Sequence, residues 1–171
     1  KNVDKPVVCR FAKLEFVRSD WRKYNYSLLS PGEYISNDQS NTEFDLAAVN
    51  IEENGNKSPV NYVLPPGIDR EQNVQSATIV RLNEQSLSMK VCDLEDGDSR
   101  AAYKTAANLD VRSYKKIRMY IHAENRAGST TVLNNNDLSA FIRIGSDQTD
   151  NYYEYSIPLV VTQPGVYQAN D

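Results

Sequence analysis

The run Asn108-Leu109-Asp110-Val111-Arg112-Ser113-Tyr114-Lys115-Lys116-Ile117-Arg118-Met119-Tyr120-Ile121-His122-Ala123-Glu124 decides how this chain is read. Asp110 and Ser113-Tyr114 mark a turn. Beyond it Ile117, Met119, Ile121 and Ala123 alternate with Arg118, Tyr120, His122 and Glu124. A period of two places the first set on one side of an extended strand and the second set on the other. The pattern predicts a half-buried strand, with Ile117, Met119 and Ile121 turned toward a core.

The same period recurs on both sides of this run. Over residues 138–145, Ala140, Ile142 and Ile144 alternate with Phe141 and Arg143, and over 151–161 Tyr153, Tyr155, Ile157 and Leu159 share a face. Upstream, residues 86–94 set Leu87, Met89 and Val91 against Ser88, Lys90 and Cys92. Glu95-Asp96-Gly97-Asp98 follows with the Asp-Gly hairpin signal, which makes 99–105 the expected returning strand. Residues 43–52 predict a further strand, closed by the Asn54-Gly55-Asn56 turn. Residues 6–21 predict another, with Ala12, Leu14 and Phe16 alternating against Lys13 and Glu15.

Loops punctuate these strands. Pro31-Gly32 and Ser36-Asn37-Asp38-Gln39-Ser40-Asn41 mark residues 25–41, and 128–137 reads as a polar loop. Pro65-Pro66 breaks regular structure within 63–72, which is read as an ordered connector lying on the sheet. The nearest approach to a helical stripe is residues 72–83. No repeat of fixed period is present. Short alternating strands separated by turn clusters predict an all-β fold, an antiparallel β-sandwich of jelly-roll type with long loops.

Composition bounds the rest. At 171 residues, 40% hydrophobic and 25% charged, the chain suits one well-cored globular domain, taken as residues 1–171. Eleven tyrosines suit strands, where the ring is half buried and the hydroxyl stays wet. The lack of an initiator Met and the tail Val166-Tyr167-Gln168-Ala169-Asn170-Asp171 suggest a domain excised from a larger chain. No apolar run approaches the roughly 20 residues that span a bilayer, so this piece is not expected to cross a membrane itself. A net charge of −4, with cations and anions interspersed, leaves no footprint for a polyphosphate backbone, and nucleic acid is not an expected partner.

Few residues suggest chemistry. His122 is the sole histidine, and no nucleophile–base motif accompanies it, so no enzyme and no catalytic residue are expected. Phosphate-cradling glycines are absent, and no cofactor is expected. Cys9 and Cys92 are read as two buried thiols, with a disulfide as the alternative. Asp93, Glu95, Asp96 and Asp98 are dense enough in oxygens to attract Ca²⁺, but Gly97 stands where a ligand is needed. A solvated turn is the preferred reading, with no metal site. If the apolar positions face a core, then Tyr120, His122, Phe141 and Arg143 project from the opposite face. Such a row suits stacking on a sugar ring or contact with a partner protein.

Three strings carry a family resemblance. Val63-Leu64-Pro65-Pro66-Gly67-Ile68-Asp69-Arg70-Glu71, Leu82-Asn83-Glu84-Gln85-Ser86-Leu87 and Cys92-Asp93-Leu94-Glu95-Asp96-Gly97-Asp98-Ser99-Arg100-Ala101 resemble the SprA/Sov family. These are giant outer-membrane translocon proteins of the type IX secretion system, tied to gliding motility in the Bacteroidetes. The resemblance implies a β-barrel parent far larger than this chain, with the present domain outer membrane-associated on the cell-surface or periplasmic side. Its expected partners are the remainder of the parent chain, associated secretion subunits or cargo proteins. It assigns no role to any single residue. In a looser sense, residues 110–121 and 152–159 resemble strands of galactose-binding-like jelly rolls, a fold common among carbohydrate-binding modules. That likeness makes glycan binding the alternative expectation.

Overall fold

The computed structural model describes residues 20–35, 41–70, 72–73, 80–81, 83–106, 110–129 and 131–169. The strand expected over 6–21 lies outside these residues except for Asp20 and Trp21, and Cys9 lies outside them as well. The described residues are nearly all strand and loop, which is the all-β class. Their strands are β1 (Arg22–Tyr24), β2 (Glu43–Val49), β3 (Gln72–Asn73), β4 (Val80–Arg81), β5 (Ser86–Cys92), β6 (Ala101–Tyr103), β7 (Ala123–Glu124), β8 (Ser139–Gly145), β9 (Tyr152–Pro158) and β10 (Val161–Thr162). They associate as two-stranded ladders: β2 with β5, β8 with β9, β1 with β6, β3 with β4, and β7 with β10. All are antiparallel except β7–β10, which is parallel.

The two long ladders fall where the period-two pattern is cleanest. β2 and β5 align in seven-residue register from Glu43↔Cys92 to Val49↔Ser86, and β8 and β9 from Ser139↔Pro158 to Gly145↔Tyr152. A seven-rung antiparallel pair satisfies the backbone groups that face between its two strands and pairs side chains across each face. Lys23 links β1 to β2: its ammonium donates to the Phe44 carbonyl at 2.6 Å, sits 3.2 Å from the Asp45 carboxylate and lies over the Phe44 ring.

Three sequence expectations are corrected here. The strand over 43–52 ends at Val49, because buried Asn50 caps a single helical turn, α1 (Ile51–Asn54). The Asn50 side chain accepts from the Glu53 amide at 2.9 Å, and its amide group donates to the Glu53 carboxylate at 3.1 Å, a reciprocal cap. Residues 99–105 do supply a strand, β6, but it returns to β1 and not to β5. β2 takes one edge of β5 over seven residues. Asp93 takes a positive φ of 52° at the exit of β5, and Arg100 holds Asp98 and the Ser99 carbonyl, which turns the chain away. The Glu95–Asp98 turn itself forms, with the Asp98 amide on the Glu95 carbonyl at 3.0 Å and Gly97 at φ 77°. Finally, the faint helical stripe over 72–83 gives way to the antiparallel pair β3–β4.

Burial is concentrated in one seam. Among the described residues the buried apolar side chains are Val60, 3% exposed, and Val161, 8% exposed. Val60 bridges Gly165, whose amide donates to the Pro59 carbonyl at 2.9 Å. Next to it Asn61 and Tyr167 exchange two hydrogen bonds, at 2.9 and 2.7 Å. The Val161 amide donates to the Asn135 side chain, and Leu159 exchanges backbone bonds with Leu138 and Asn136. Residues 159–167 therefore stitch the 59–62 segment, β7 and the start of β8 together.

Candidate functional site

The central expectation for residues 117–121 is overturned. Ile117, Met119 and Ile121 are 66%, 53% and 42% exposed, and residues 115–122 belong to no ladder. The turn before them forms as read: the Tyr114 amide donates to the Val111 carbonyl at 3.1 Å, and Asp110 accepts from the amide and guanidinium of Arg112. The Arg112 guanidinium holds the Asp110 carboxyl below its ordinary range. Only the last two residues of the predicted strand, Ala123 and Glu124, find a partner, in β10. The alternation is real, but no other described strand lies alongside to cover it. Tyr114 and Tyr120 are exposed on the same run.

Charge sets this segment apart. Residues 110–122 carry Arg112, Lys115, Lys116 and Arg118 against the single carboxylate of Asp110, in a chain of net charge −4. Across the whole chain the basic residues are interspersed with acidic ones. Counting charge in a short window exposes the local excess.

The four residues proposed as a binding row are divided between the run before β7 and the β8–β9 ladder. His122 sits beside β7, with Nε2 3.4 Å from the Glu124 carboxylate and Nδ1 3.3 Å from the Thr162 hydroxyl. Lys57 reaches the same Glu124 carboxylate. Phe141 and Arg143 lie on β8, which pairs with β9 and not with β7. Arg143 is engaged within its own hairpin. Its Nε donates to Glu154 at 2.6 Å, Nη1 donates to the Gln148 carbonyl at 2.6 Å, and the guanidinium stacks 4.2 Å from the Tyr152 ring and 5.4 Å from the Phe141 ring. Glu154 faces Arg143 directly in the register, the geometry that favours a cross-strand ion pair. Arg143 closes the hairpin; Tyr120 and His122 remain exposed elsewhere.

Asp147 organises the same hairpin's tip. Its Oδ1 accepts from the amides of Thr149, Asp150 and Asn151 at 3.0, 2.6 and 2.9 Å, and Oδ2 accepts from the Asn151 side chain at 2.7 Å. The Asn151 and Asp150 amides, then the Asn151 side chain and the Thr149 amide, hold this carboxyl far below the usual carboxylate range. Its contribution is therefore present above the unfolded value of about 4 and is lost only as pH falls through the depressed folded value. Amide exchange followed by NMR tests this. The three amides are expected to stay protected on acidification past pH about 4. In Asp147→Ala they should exchange about tenfold faster at neutral pH. Protection that collapses near the ordinary carboxylate value in the unaltered chain would refute the assignment.

The remaining acids serve the framework in the same way. Asp98 is held by Arg100 and the Ser99 amide. Among the described residues, Asp93, Glu95, Asp96 and Asp98 do not converge on a metal-binding cluster. Cys92 is a free thiol at the end of β5, where the Arg126 guanidinium donates to its sulfur at 3.0 Å. The Tyr62 hydroxyl meets the Glu84 carboxylate at 2.6 Å and Ser86 at 2.7 Å; burial, reinforced by Glu84, pushes it up to about 12.

The described residues thus leave a cationic and apolar run exposed over 112–121, outside the hydrogen-bonded ladders. No curated protein matches the chain. The family comparison is decisive where individual relatives are not, and it agrees with the resemblance carried by the strings at 63–71, 82–87 and 92–101. Over its whole length, residues 1–171, the chain matches the SprA_N family model, motility related/secretion protein, and it belongs to that family.

Proposed function

We propose that this chain is a non-catalytic contact module of a type IX secretion translocon, associated with the outer membrane on its cell-surface or periplasmic side. Family membership ties it to motility and secretion and to a larger secretion machinery. Among the described residues no helix is long and apolar enough to cross a membrane. The observation that carries the reading is the exposed row Ile117, Met119 and Ile121 on a segment with no described strand beside it. Contiguous apolar side chains left in water beside unpaired backbone mark a surface that another polypeptide covers. The polar side chains that the fold does bring together, Arg143 with Glu154 and Asp147 with its three amides, close turns and ladders. This favours a scaffold over an enzyme.

The test is made in the full-length parent protein in its own bacterium. Replacing Ile117 and Ile121 together by Glu is expected to abolish secretion and gliding while the protein still accumulates, because exposed positions tolerate charge without unfolding. Normal secretion in that strain would overturn the proposal. Glycan-array binding by the chain, lost on Tyr120→Ala, would favour the carbohydrate-binding alternative instead.

A further inference from the structure

We infer that residues 115–122 form a docking edge for a separate polypeptide segment that binds in extended form and alternates carboxylate with apolar side chains. The inference deepens the contact role proposed above and rests on it.

Three observations converge on this occupant. The first is the backbone. Residues 115–122 run directly into β7, whose Ala123 and Glu124 already pair with Val161 and Thr162. The residues before Ala123 have no described neighbour in any ladder. An incoming extended segment would therefore lengthen an existing strand, gaining main-chain hydrogen bonds along an edge that is fixed at both ends. The Asp110–Arg112 turn with its Val111–Tyr114 bond holds one end, and the β7–β10 pair holds the other.

The second is the side-chain alternation. A partner strand sets its residues directly opposite those of the edge, and like meets like on each face. Ile117, Met119 and Ile121, all exposed, call for apolar side chains at every second position of the partner.

The third is charge. The intervening positions include Lys116 and Arg118, with Lys115 and Arg112 just upstream, all exposed. Against the chain's net charge of −4 this is a local reversal of sign. A partner with carboxylates opposite Lys116 and Arg118 is attracted, and one with cations there is repelled. That discrimination disfavours a basic segment more strongly than it strengthens an acidic one. Arg112 is already paired with Asp110, so Lys116 and Arg118 carry the selectivity.

The experiment uses the 171-residue chain and three labelled ten-residue peptides: alternating Glu-Val, alternating Lys-Val, and Glu-Val with every second amide N-methylated. Anisotropy titrations at low salt are expected to show the Glu-Val peptide binding at least about tenfold tighter than the Lys-Val peptide, as two or three exposed charge pairs provide. N-methylation should remove most of that binding, since it blocks the ladder while keeping the charge. In the double variant Lys116→Glu/Arg118→Glu the preference should reverse to the Lys-Val peptide, which a misfolded chain would not do. Equal binding of the two charged peptides, or full binding of the N-methylated one, overturns the inference. So does sedimentation showing that the chain itself dimerises through this edge, with dimerisation abolished by the same variant, because the occupant would then be a second copy. Failure of the peptides while secretion still depends on Ile117 and Ile121 would sink this inference and leave the contact role standing. Peptide binding with normal secretion in the glutamate strain would do the reverse.

Discussion

Val60→Asp is expected to destabilise the chain by about 3–5 kcal/mol, the largest effect of any single substitution considered. Val60 is 3% exposed and sits where the 59–62 segment meets the C-terminal segment. The substitution removes a buried aliphatic side chain, worth about 1.5–3 kcal/mol, and puts in its place a carboxylate with no cation assigned to it. The neighbouring bonds, Gly165 to Pro59 and the Asn61–Tyr167 exchange, depend on the two segments staying in register, so they should be lost together. For a chain of this size the melting midpoint should fall by about 10 °C in a thermal scan. Val166→Asp is the control. Val166 lies in the same segment and is exposed, so the same chemistry there should change stability by no more than about 0.5 kcal/mol. Equal losses from the two variants would show that the 59–62 and 159–167 seam is not the centre of packing.

Arg143→Ala should rank second, at about 2 kcal/mol. The Arg143 side chain is largely covered, while its partner Glu154 is partly open to water, which trims the ion-pair contribution below that of a buried pair. What the substitution removes is a combination. It takes away a charge-assisted bond to Glu154, a donor for the Gln148 carbonyl, and a guanidinium lying over Tyr152 and Phe141. Arg143→Lys keeps the charge but loses the planar fork, so it should recover no more than about half of the loss. Thermal melts rank the two variants, and the ring resonances of Tyr152 and Phe141 report whether the stack has gone. An alanine variant as stable as the parent, with unshifted rings, would mean that Arg143 is free for a ligand after all.

These two residues show how far the sequence could be read. The strands that build β2–β5 and β8–β9 were visible over residues 43–52, 86–94, 138–145 and 151–161, because a local period of two suffices to define an extended segment. The Glu95–Asp98 turn was visible in Asp96-Gly97 for a similarly local reason. Family membership was legible too, since the strings that carry it are contiguous. Pairing was less accessible. Alternation in 117–123 announces a strand but not its neighbour, and the Asp-Gly signal before β6 announces a turn but not that β6 pairs with β1.

The sequence by itself determined the all-β character, the positions of the long strands, the turns and the family, all of which follow from residues close together in the chain. The tertiary structure alone decided that Ile117, Met119 and Ile121 face water, that Arg143 is drawn into its own hairpin, and that the buried seam joins residues 59–62 to 159–167. The physical reason is that a period-two pattern states that a face is apolar. What covers that face depends on which distant strand, in this chain or another, comes to lie beside it.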